Sequence, residues 1–291
     1  MIPVTRPYLP DRAKLDKYID GIYERGWLTN NGPLVGELTR RLQDYLDVEH
    51  LLLVANGTLA LQIAYRALGI SSSNTVLQRS EAVTTPFSFV ATASSLKRWG
   101  VGPAFADSDP QTWYRNPATI HAAINANTRA IVPVHVFGNA CDVEAIDAIA
   151  QRHGVKIVYD GAHAFGVKYR GKSLLSFGDA ATLSFHATKL FHSLEGGAIV
   201  FRRKEDLERA TQLINFGIAG PDRIEALGIN AKMNEIQAAM GLCMLDEIER
   251  NLRARAVVWQ QYQDALCGSY QLQARHAESS NNYAYMPVLL E

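Results

Sequence analysis

Hydrophobic and polar positions alternate along this chain with two different periods, and each period predicts one kind of element. A spacing of three and four residues between apolar positions predicts helices over residues 12–25 and about 34–46, separated by a turn-rich loop at 26–33. Between residues 51 and 201, short apolar runs alternate with amphipathic segments. This succession of strands and helices predicts an α/β fold, in which a mainly parallel sheet is covered by helices on both faces.

The individual apolar runs and amphipathic segments can be placed on the chain. Strands are predicted at residues 51–54, 102–107, 130–135, 155–159, 181–185 and 198–201. Helices are predicted at residues 59–68, 117–124, 143–153 and 207–216, with a turn leading into a helix at 84–96. The polar segment 71–83 fits neither period. Further on, a polar loop at 228–234 leads into a small-residue helix that continues to about residue 259, and residues 283–290 are predicted to form a last strand.

Composition narrows the class of protein. With 291 residues, 47% of them apolar and 20% charged, the chain is typical of a globular protein with one large domain and part of a second. We expect residues 1–250 to form the large domain and residues 251–291 to begin a smaller C-terminal domain. Because Lys and Arg equal Asp and Glu at 29 each, no electrostatic attraction favours nucleic acid or an anionic membrane surface.

The cysteines and the apolar runs indicate the cellular compartment in which the protein is expected. The three cysteines, Cys141, Cys243 and Cys267, are widely spaced, which favours a reducing compartment and argues against a zinc cluster. The N-terminal sequence has no apolar run of the kind that forms a secretory signal, and no run in the sequence is long enough to cross a bilayer. We therefore predict a cytoplasmic protein without a metal site.

Three polar segments follow predicted strands, at residues 55–58, 160–163 and 184–189. Ligands of parallel α/β sheets bind beyond the carboxyl ends of the strands, so we expect these three segments to lie together. Gly57 and Thr58 are predicted in the first turn of a helix, where free backbone N–H groups and the helix dipole favour an anion. The alternative for this segment is a simple helix cap formed by an Asn or Thr side chain.

Lys189 lies in the turn after the strand at 181–185 and allows two interpretations. It is either a solvated loop lysine or a lysine that forms a Schiff base with a cofactor. The cofactor that uses a lysine imine as an electron sink is pyridoxal phosphate. It requires an anion site for its phosphate, a carboxylate for its pyridine nitrogen and groups on the ring faces. The candidate phosphate ligands are Gly57, Thr58 and Ser184; the carboxylate is Asp160; the flanking groups are Phe89 and His163.

Several motifs, in this order along the chain, resemble those of one enzyme family. They are Gly57-Thr58, Asp160-Gly-Ala-His-Ala-Phe-Gly166, Ser184-Phe-His-Ala-Thr-Lys189, Glu195-Gly-Gly197 and Gly228-Ile-Asn-Ala-Lys-Met-Asn-Glu235. The resemblance is to the DegT/DnrJ/EryC1/StrS sugar aminotransferases, which are fold-type-I pyridoxal-phosphate enzymes acting on nucleotide-linked keto sugars. Two further motifs, Thr85-Pro-Phe-Ser-Phe89 and His135-Val-Phe-Gly-Asn139, resemble the members that form dTDP-4-amino-4,6-dideoxyglucose.

The resemblance implies a role for each candidate residue. Lys189 is implied to be the Schiff-base lysine and the proton shuttle, and Asp160 to pair with the pyridinium nitrogen. His163 is implied to lie beside the cofactor ring and Phe89 to stack on the face away from the lysine. Gly57, Thr58 and Ser184 are implied to hold the phosphate.

The resemblance also implies substrates and a partner subunit. An amino group would pass from L-glutamate to a nucleotide-linked keto sugar such as dTDP-4-dehydro-6-deoxyglucose. The loop at 228–234 would reach into the phosphate site of a second subunit through Asn230 or Lys232, and these two residues stay as alternatives. The protein is therefore expected to be a homodimer with two shared active sites.

Three other interpretations are considered. A dehydratase relative would carry histidine in place of the imine lysine, which Lys189 argues against. A metal-dependent hydrolase would use Asp160, His163, His186 and His192, although no HExxH motif or tight cluster supports it. A non-catalytic remnant is the third, because the chain ends where the family's C-terminal domain begins and its segment 71–83 is longer and more polar than the family's usual link.

Overall fold

The computed structural model describes residues 5–71, 80–113 and 116–290, and a seven-stranded sheet lies at its centre. The strands, in chain order, are β1 (Leu51–Val54), β2 (Ser80–Thr84), β3 (Val101–Phe105), β4 (Thr128–Val132), β5 (Lys156–Asp160), β6 (Ala180–Ser184) and β7 (Gly197–Phe201). They lie side by side in the order β1-β7-β6-β5-β4-β2-β3. The predicted α/β fold is confirmed.

Five neighbouring strands, from β6 to β3, are parallel, whereas β7 runs antiparallel to both β6 and β1. The physical reason is the connection between β6 and β7. A connecting helix carries the chain back along the sheet, so that the next strand runs parallel to the one before it. The turn that follows Ser184 contains no helix, and the next strand therefore runs in the opposite direction. Lys189 lies in this turn.

Helices cover both faces of the sheet, as the sequence predicts. In chain order they are α1 (Arg12–Arg25), α2 (Pro33–Leu46), α3 (Gly57–Ala67), α4 (Val90–Arg98), α5 (Pro117–Ala123), α6 (Val143–His153), α7 (Lys204–Leu213) and α8 (Glu235–Leu266). Apolar residues of α3, α4 and α7 form one buried cluster with the sheet. Those of α1, α2, α5, α6 and α8 form a second cluster on the opposite face.

The long helix α8 is fixed against α2 by small residues and by one buried carboxylate. A Cβ atom on Gly241 would lie 2.7 Å from Leu38 Cδ2, so the glycine permits the close approach of the two helices. Glu235, whose side chain is fully buried, accepts hydrogen bonds from the backbone N–H groups of Leu34 (3.0 Å) and Val35 (2.9 Å). The carboxylate of α8 therefore caps the first turn of α2, where two donors otherwise lack partners.

Strand β2 is absent from the sequence-based prediction. Its residues Ser80, Glu81 and Thr84 are polar and obscure the strand pattern. The strand nevertheless lies inside the sheet, between β4 and the edge strand β3, and the Thr84 hydroxyl donates to the Val132 carbonyl at 2.9 Å. Most of the segment 71–83, for which the sequence predicts no element, lies outside the described residues, namely residues 72–79. The other predicted strands and helices are found within a few residues of their predicted limits, and α8 continues past residue 259 to Leu266.

The prediction of a last strand over residues 283–290 is wrong for most of that segment. Only Val288–Leu289 pairs, with Gln271–Leu272. Tyr283 has a left-handed backbone (φ 54°), which breaks an extended run, and the Asn282 amide donates to the carbonyls of His163 (2.8 Å) and Phe165 (3.1 Å). Residues 282–285 are thus held by the loop after β5 and by side chains of α8 rather than by a neighbouring strand.

Candidate active site

The β1–α3 connection forms the candidate anion site. The Asn56 side chain accepts the Leu59 N–H at 2.9 Å and so caps α3. The N–H groups of Gly57 and Thr58 have no acceptor within the described part of the chain. Two free donors therefore stand at the positive end of an 11-residue helix, an arrangement that suits a phosphate group. The predicted position of Gly57 and Thr58 in the first turn is confirmed.

The start of α3 packs directly against the ends of β6 and β7. A Cβ atom on Gly57 would lie 2.8 Å from the Ser184 Cβ, and one on Gly197 would lie 2.7 Å from the carbonyl carbon of Asn56. Both positions therefore require glycine, because a larger residue would separate the helix from the strands. This contact brings Ser184, a predicted phosphate ligand, beside the free amides of α3.

Asp160 ends β5, two strands away from β7. Its carboxylate is buried and accepts the Thr92 hydroxyl at 2.7 Å and the Ala162 N–H at 3.1 Å. Burial raises the pKa of Asp160, although both hydrogen bonds and the charge of Lys189 act to lower that pKa. The carboxylate still has unused acceptor positions, so a protonated nitrogen placed beside it would gain a strong partner.

Lys189 lies close enough to Asp160 and His163 for its charge to affect the pKa of both. Its own pKa is lowered by burial, and the negative charge of Asp160 opposes that change. A lysine in such surroundings carries a larger neutral fraction than a solvated lysine, and a neutral amine is the nucleophilic form. Lys189 is therefore not a fully solvated loop lysine, and its role in a Schiff base stays a prediction.

His163 is held as a neutral imidazole. The backbone N–H of Phe137 donates to its Nδ1 at 3.2 Å, so the proton of the neutral ring is on Nε2. Burial, and secondly the charge of Lys189, lower the pKa of His163 to about 3. The Phe137 ring lies parallel to the imidazole at 5.9 Å, and the Tyr285 ring approaches it at 4.6 Å.

Phe89 immediately precedes α4, one turn before Thr92. Because Thr92 contacts Asp160, the start of α4 lies above the end of β5. The Phe89 side chain is 78% exposed, so its ring face is free to contact a bound ligand. Its predicted role on the face of a cofactor ring stays a prediction.

The two candidate residues of the loop at 228–234 differ in their side-chain contacts. The Lys232 amine donates to Asn215 Oδ1 at 2.6 Å and lies 5.4 Å from the centre of the Phe216 ring, so it is engaged within its own chain. Asn230 is exposed. Of the two, Asn230 therefore has the more accessible side chain, and a contact of this loop with a second subunit stays a prediction.

Three contributors were missed by sequence reasoning. Thr92 could have been found as a hydroxyl three residues after Phe89 on the apolar face of a short helix. The role of Phe137 could be recognised only in the structure, where its left-handed backbone (φ 56°) turns its N–H towards His163. Gln237 joins the site from α8, because its amide donates to the carbonyls of Glu195 (2.8 Å) and Ala55 (3.3 Å).

The residues of the hydrolase alternative are not gathered around one point. His192 is buried and its Nε2 contacts the Tyr8 carbonyl at 2.7 Å, whereas His186 is exposed and contacts Thr188. Within residues 5–71, 80–113 and 116–290, no group of three or more His, Cys, Asp or Glu side chains could hold a metal ion. In the same ranges, none of the helices combines the length and apolar character needed to cross a bilayer.

Comparison with known proteins adds to this geometry. The DegT/DnrJ/EryC1/StrS aminotransferase family matches residues 11–291. The dTDP-4-amino-4,6-dideoxy-D-glucose transaminase of Shigella dysenteriae is 41% identical over 290 residues, which span 99% of this chain and 77% of the relative. The Escherichia coli protein of the same name is 38% identical over 100% of this chain and 77% of its own length.

Solved structures agree with the sequence comparisons. DesI, solved in the presence of its TDP-sugar product, superposes with a TM-score of 0.91 at 34% identity, covering 100% of this chain and 72% of DesI. PseC of Helicobacter pylori, an aminotransferase involved in the biosynthesis of pseudoaminic acid, has a TM-score of 0.90 at 27% identity over 99% of this chain and 77% of PseC.

Proposed function

Because the chain belongs to the DegT/DnrJ/EryC1/StrS aminotransferase family, a family of pyridoxal-phosphate enzymes, we propose that it moves an amino group from L-glutamate to dTDP-4-dehydro-6-deoxyglucose. The product would be the 4-amino sugar nucleotide named in the two transaminase relatives. One observation carries the proposal: the charge of Lys189 acts on both Asp160 and His163, at the same sheet edge where α3 offers two free amides. The cytoplasm is proposed as the location, since the wide spacing of Cys141, Cys243 and Cys267 along the chain favours a reducing compartment.

The residues present fit the cofactor. Bound pyridoxal phosphate supplies an aldehyde that accepts an amine and a ring that withdraws electrons once its nitrogen is protonated. Gly57, Thr58 and Ser184 would hold its phosphate, and the raised pKa of Asp160 marks a buried carboxylate that lacks a full cationic partner. Phe89 would cover one face of the ring.

Two side chains would handle protons. Because its pKa is lowered, the Lys189 amine is neutral more often than that of an ordinary lysine, and in the neutral form it can accept a proton and return it to another atom within reach. His163 would act as a neutral hydrogen-bond donor through Nε2, because Phe137 occupies Nδ1. The dehydratase alternative is not favoured, because the imine position carries Lys189.

A direct test of the proposal begins with the cofactor. Protein reconstituted with pyridoxal phosphate should show a visible absorption band, and borohydride should abolish it by reducing the imine on Lys189. Turnover should then be measured with L-glutamate and a panel of nucleotide-linked 4-keto and 3-keto sugars. Absence of an imine would refute the family chemistry, whereas an imine without turnover on any sugar of the panel would favour the non-catalytic remnant.

We also propose that two subunits share each site. Around the loop at 228–234, the surface exposes an apolar patch formed by Phe216, Ile218, Ile224, Leu227 and Ile229. A contiguous exposed apolar patch is typical of an interaction surface. Residues 1–250 would form the cofactor-binding domain of each subunit and residues 251–291 the start of a smaller one, although α8 crosses residue 250 without a break.

Subunit mixing tests the shared site. Lys189→Ala inactivates one protein, and the pair of changes Asn230→Ala and Lys232→Ala inactivates another. In a mixed dimer one composite site carries both defects and the other is intact, so random exchange should restore about a quarter of wild-type activity. If verified exchange restores no activity, or if the double variant is fully active alone, the shared site is wrong.

A further inference from the structure

The middle of α8 carries a guanidinium without a carboxylate partner. Arg255 Nε donates to Asn251 Oδ1 at 3.2 Å, and one Nη donates to the Ala284 carbonyl at 3.4 Å. No salt bridge of Arg255 exists among the described residues. Arginine has five N–H donors, so three of them remain without a protein acceptor in this part of the chain.

The surroundings of Arg255 make this free charge costly. The side chain is only partly exposed, and burial lowers the pKa of its guanidinium, with the Tyr285 hydroxyl acting in the opposite direction. A half-buried cation without an anion loses hydration that nothing replaces. An anion that binds there would therefore gain both a charge-assisted hydrogen bond and relief of that penalty.

Two neighbouring groups are unpaired donors of the same kind. Asn251 is 8% exposed, and its buried Nδ2 has no hydrogen-bond partner within the described residues, although its Oδ1 is used by Arg255. The Tyr285 hydroxyl likewise has no partner in the described ranges, and it lies close enough to Arg255 to affect the pKa of that residue. Three neighbouring side chains, those of Arg255, Asn251 and Tyr285, thus carry donors without acceptors among the described residues.

This place adjoins the candidate active site. The Tyr285 ring lies 4.6 Å from the His163 ring, and the charge of Lys189 acts on His163. The Trp259 indole donates to the Tyr285 carbonyl at 3.2 Å, which fixes the backbone of Tyr285 against α8. Tyr285 is therefore a neighbour of both His163 and Arg255, and it connects the candidate active site to the unpaired guanidinium.

We propose that Arg255, Tyr285 and Asn251 form an oxyanion subsite that binds an anionic group of a substrate beyond the reacting centre. The inference rests on the proposed function. The shared chemistry is a carboxylate or phosphate oxygen, which a guanidinium can bind in bidentate fashion. Its source is either the diphosphate of the nucleotide-linked sugar or a carboxylate of the amine donor.

Equilibrium binding to the cofactor-loaded protein tests the subsite. The probes are dTDP, for the diphosphate, and glutarate, a dicarboxylate without an amine that binds without reacting. Arg255→Met removes the charge, and Arg253→Met is the matched control because Arg253 is exposed on the same helix. We expect Arg255→Met to weaken one probe about 10- to 100-fold, as for a lost charge-assisted hydrogen bond, and Arg253→Met to leave both within about twofold.

The possible results show which anionic group binds at the subsite, and they distinguish failure of the subsite from failure of the proposed function. Weaker dTDP binding assigns the subsite to the diphosphate, weaker glutarate binding to the donor carboxylate, and weakening of both to a site used by each substrate in turn. Arg255→Lys, which keeps the charge, should retain part of the lost affinity and guards against a folding defect. If Arg255→Met binds both probes like the wild type, the subsite is refuted. The borohydride reaction at Lys189 tests the proposed function separately.

Discussion

Replacing Asp160 by asparagine should make the cofactor-free protein more stable and the enzyme far less active. Asparagine keeps the shape of the side chain and removes its charge. The pKa of Asp160 is raised by burial, so the folded protein binds a proton at this carboxyl more tightly than the unfolded chain does. Folding therefore takes up a proton between the ordinary pKa of 3.8 and the raised one, and the free energy of unfolding falls as the pH rises through that window.

The magnitude follows from the contacts of the carboxylate. Burial of a charge costs several kcal/mol, and each hydrogen bond to a charged group returns about 1.5–3 kcal/mol. Thr92 and Ala162 supply two such bonds, and Lys189 adds attraction, yet the raised pKa shows that the cost is still the larger. In Asp160→Asn, the side-chain oxygen can still accept the Ala162 N–H, and the Thr92 hydroxyl can turn towards Ser88. We expect a gain of about 1–2 kcal/mol at pH 8.

Urea unfolding of cofactor-free wild type and variant, at pH 4 and pH 8, measures this change. The stability difference should be larger at pH 8, because the wild type loses stability as the pH rises from the ordinary pKa of Asp160 towards its raised one, whereas the variant does not titrate at this position. Transamination by the reconstituted variant should fall by orders of magnitude, because electrostatic contributions of a few kcal/mol are lost. A cofactor-free variant that is less stable than wild type at pH 8 would refute the reasoning about burial, and near-normal turnover would refute the role of Asp160.

Two further predictions concern Lys189 and Glu235. Lys189→Ala should fold normally, because the residue lies in a turn, but should show no transamination and no borohydride-sensitive absorption band; appreciable turnover would contradict its assignment. Glu235→Gln should lower the free energy of unfolding by about 2–4 kcal/mol, since its new amide faces one of the N–H groups of Leu34 and Val35 that the carboxylate accepts. Glu208→Gln, exposed on α7, is the control and should change stability by less than about 0.5 kcal/mol; an equal effect of both changes would show that the capping of α2 is unimportant.

The order of strands and helices could be predicted because each element obeys one period. Residues 51–54 and 143–153 show this, since their apolar positions are repeated locally and need no knowledge of distant contacts. The position of Gly57 and Thr58 could be predicted for a similar reason, because a strand followed by an Asn-Gly-Thr turn and an apolar helix fixes where the free amides lie. The roles implied for the site residues came from motif resemblance and stay predictions.

The features that could not be predicted depend on contacts between residues far apart in the sequence. Strand β2 is polar in sequence and becomes a central strand only because β3 and β4 flank it. The hydrogen bond from Thr92 to Asp160 spans 68 residues, and that from Asn282 to His163 spans 119. No local pattern reports such pairs, and so the last predicted strand was wrong and Thr92 was missed.

The first turn of α8 has a consequence for the way the protein is made. Glu235 accepts hydrogen bonds from Leu34 and Val35 at the start of α2, which lie 201 and 200 residues earlier in the chain. Gln237 donates to the carbonyl of Ala55, 182 residues earlier. During synthesis, these hydrogen bonds can form only after residues 235–237 have left the ribosome. Contacts of such long sequence separation form late and slow folding. A chain that has not yet reached residue 235 lacks these hydrogen bonds to the start of α2 and to the β1–α3 connection.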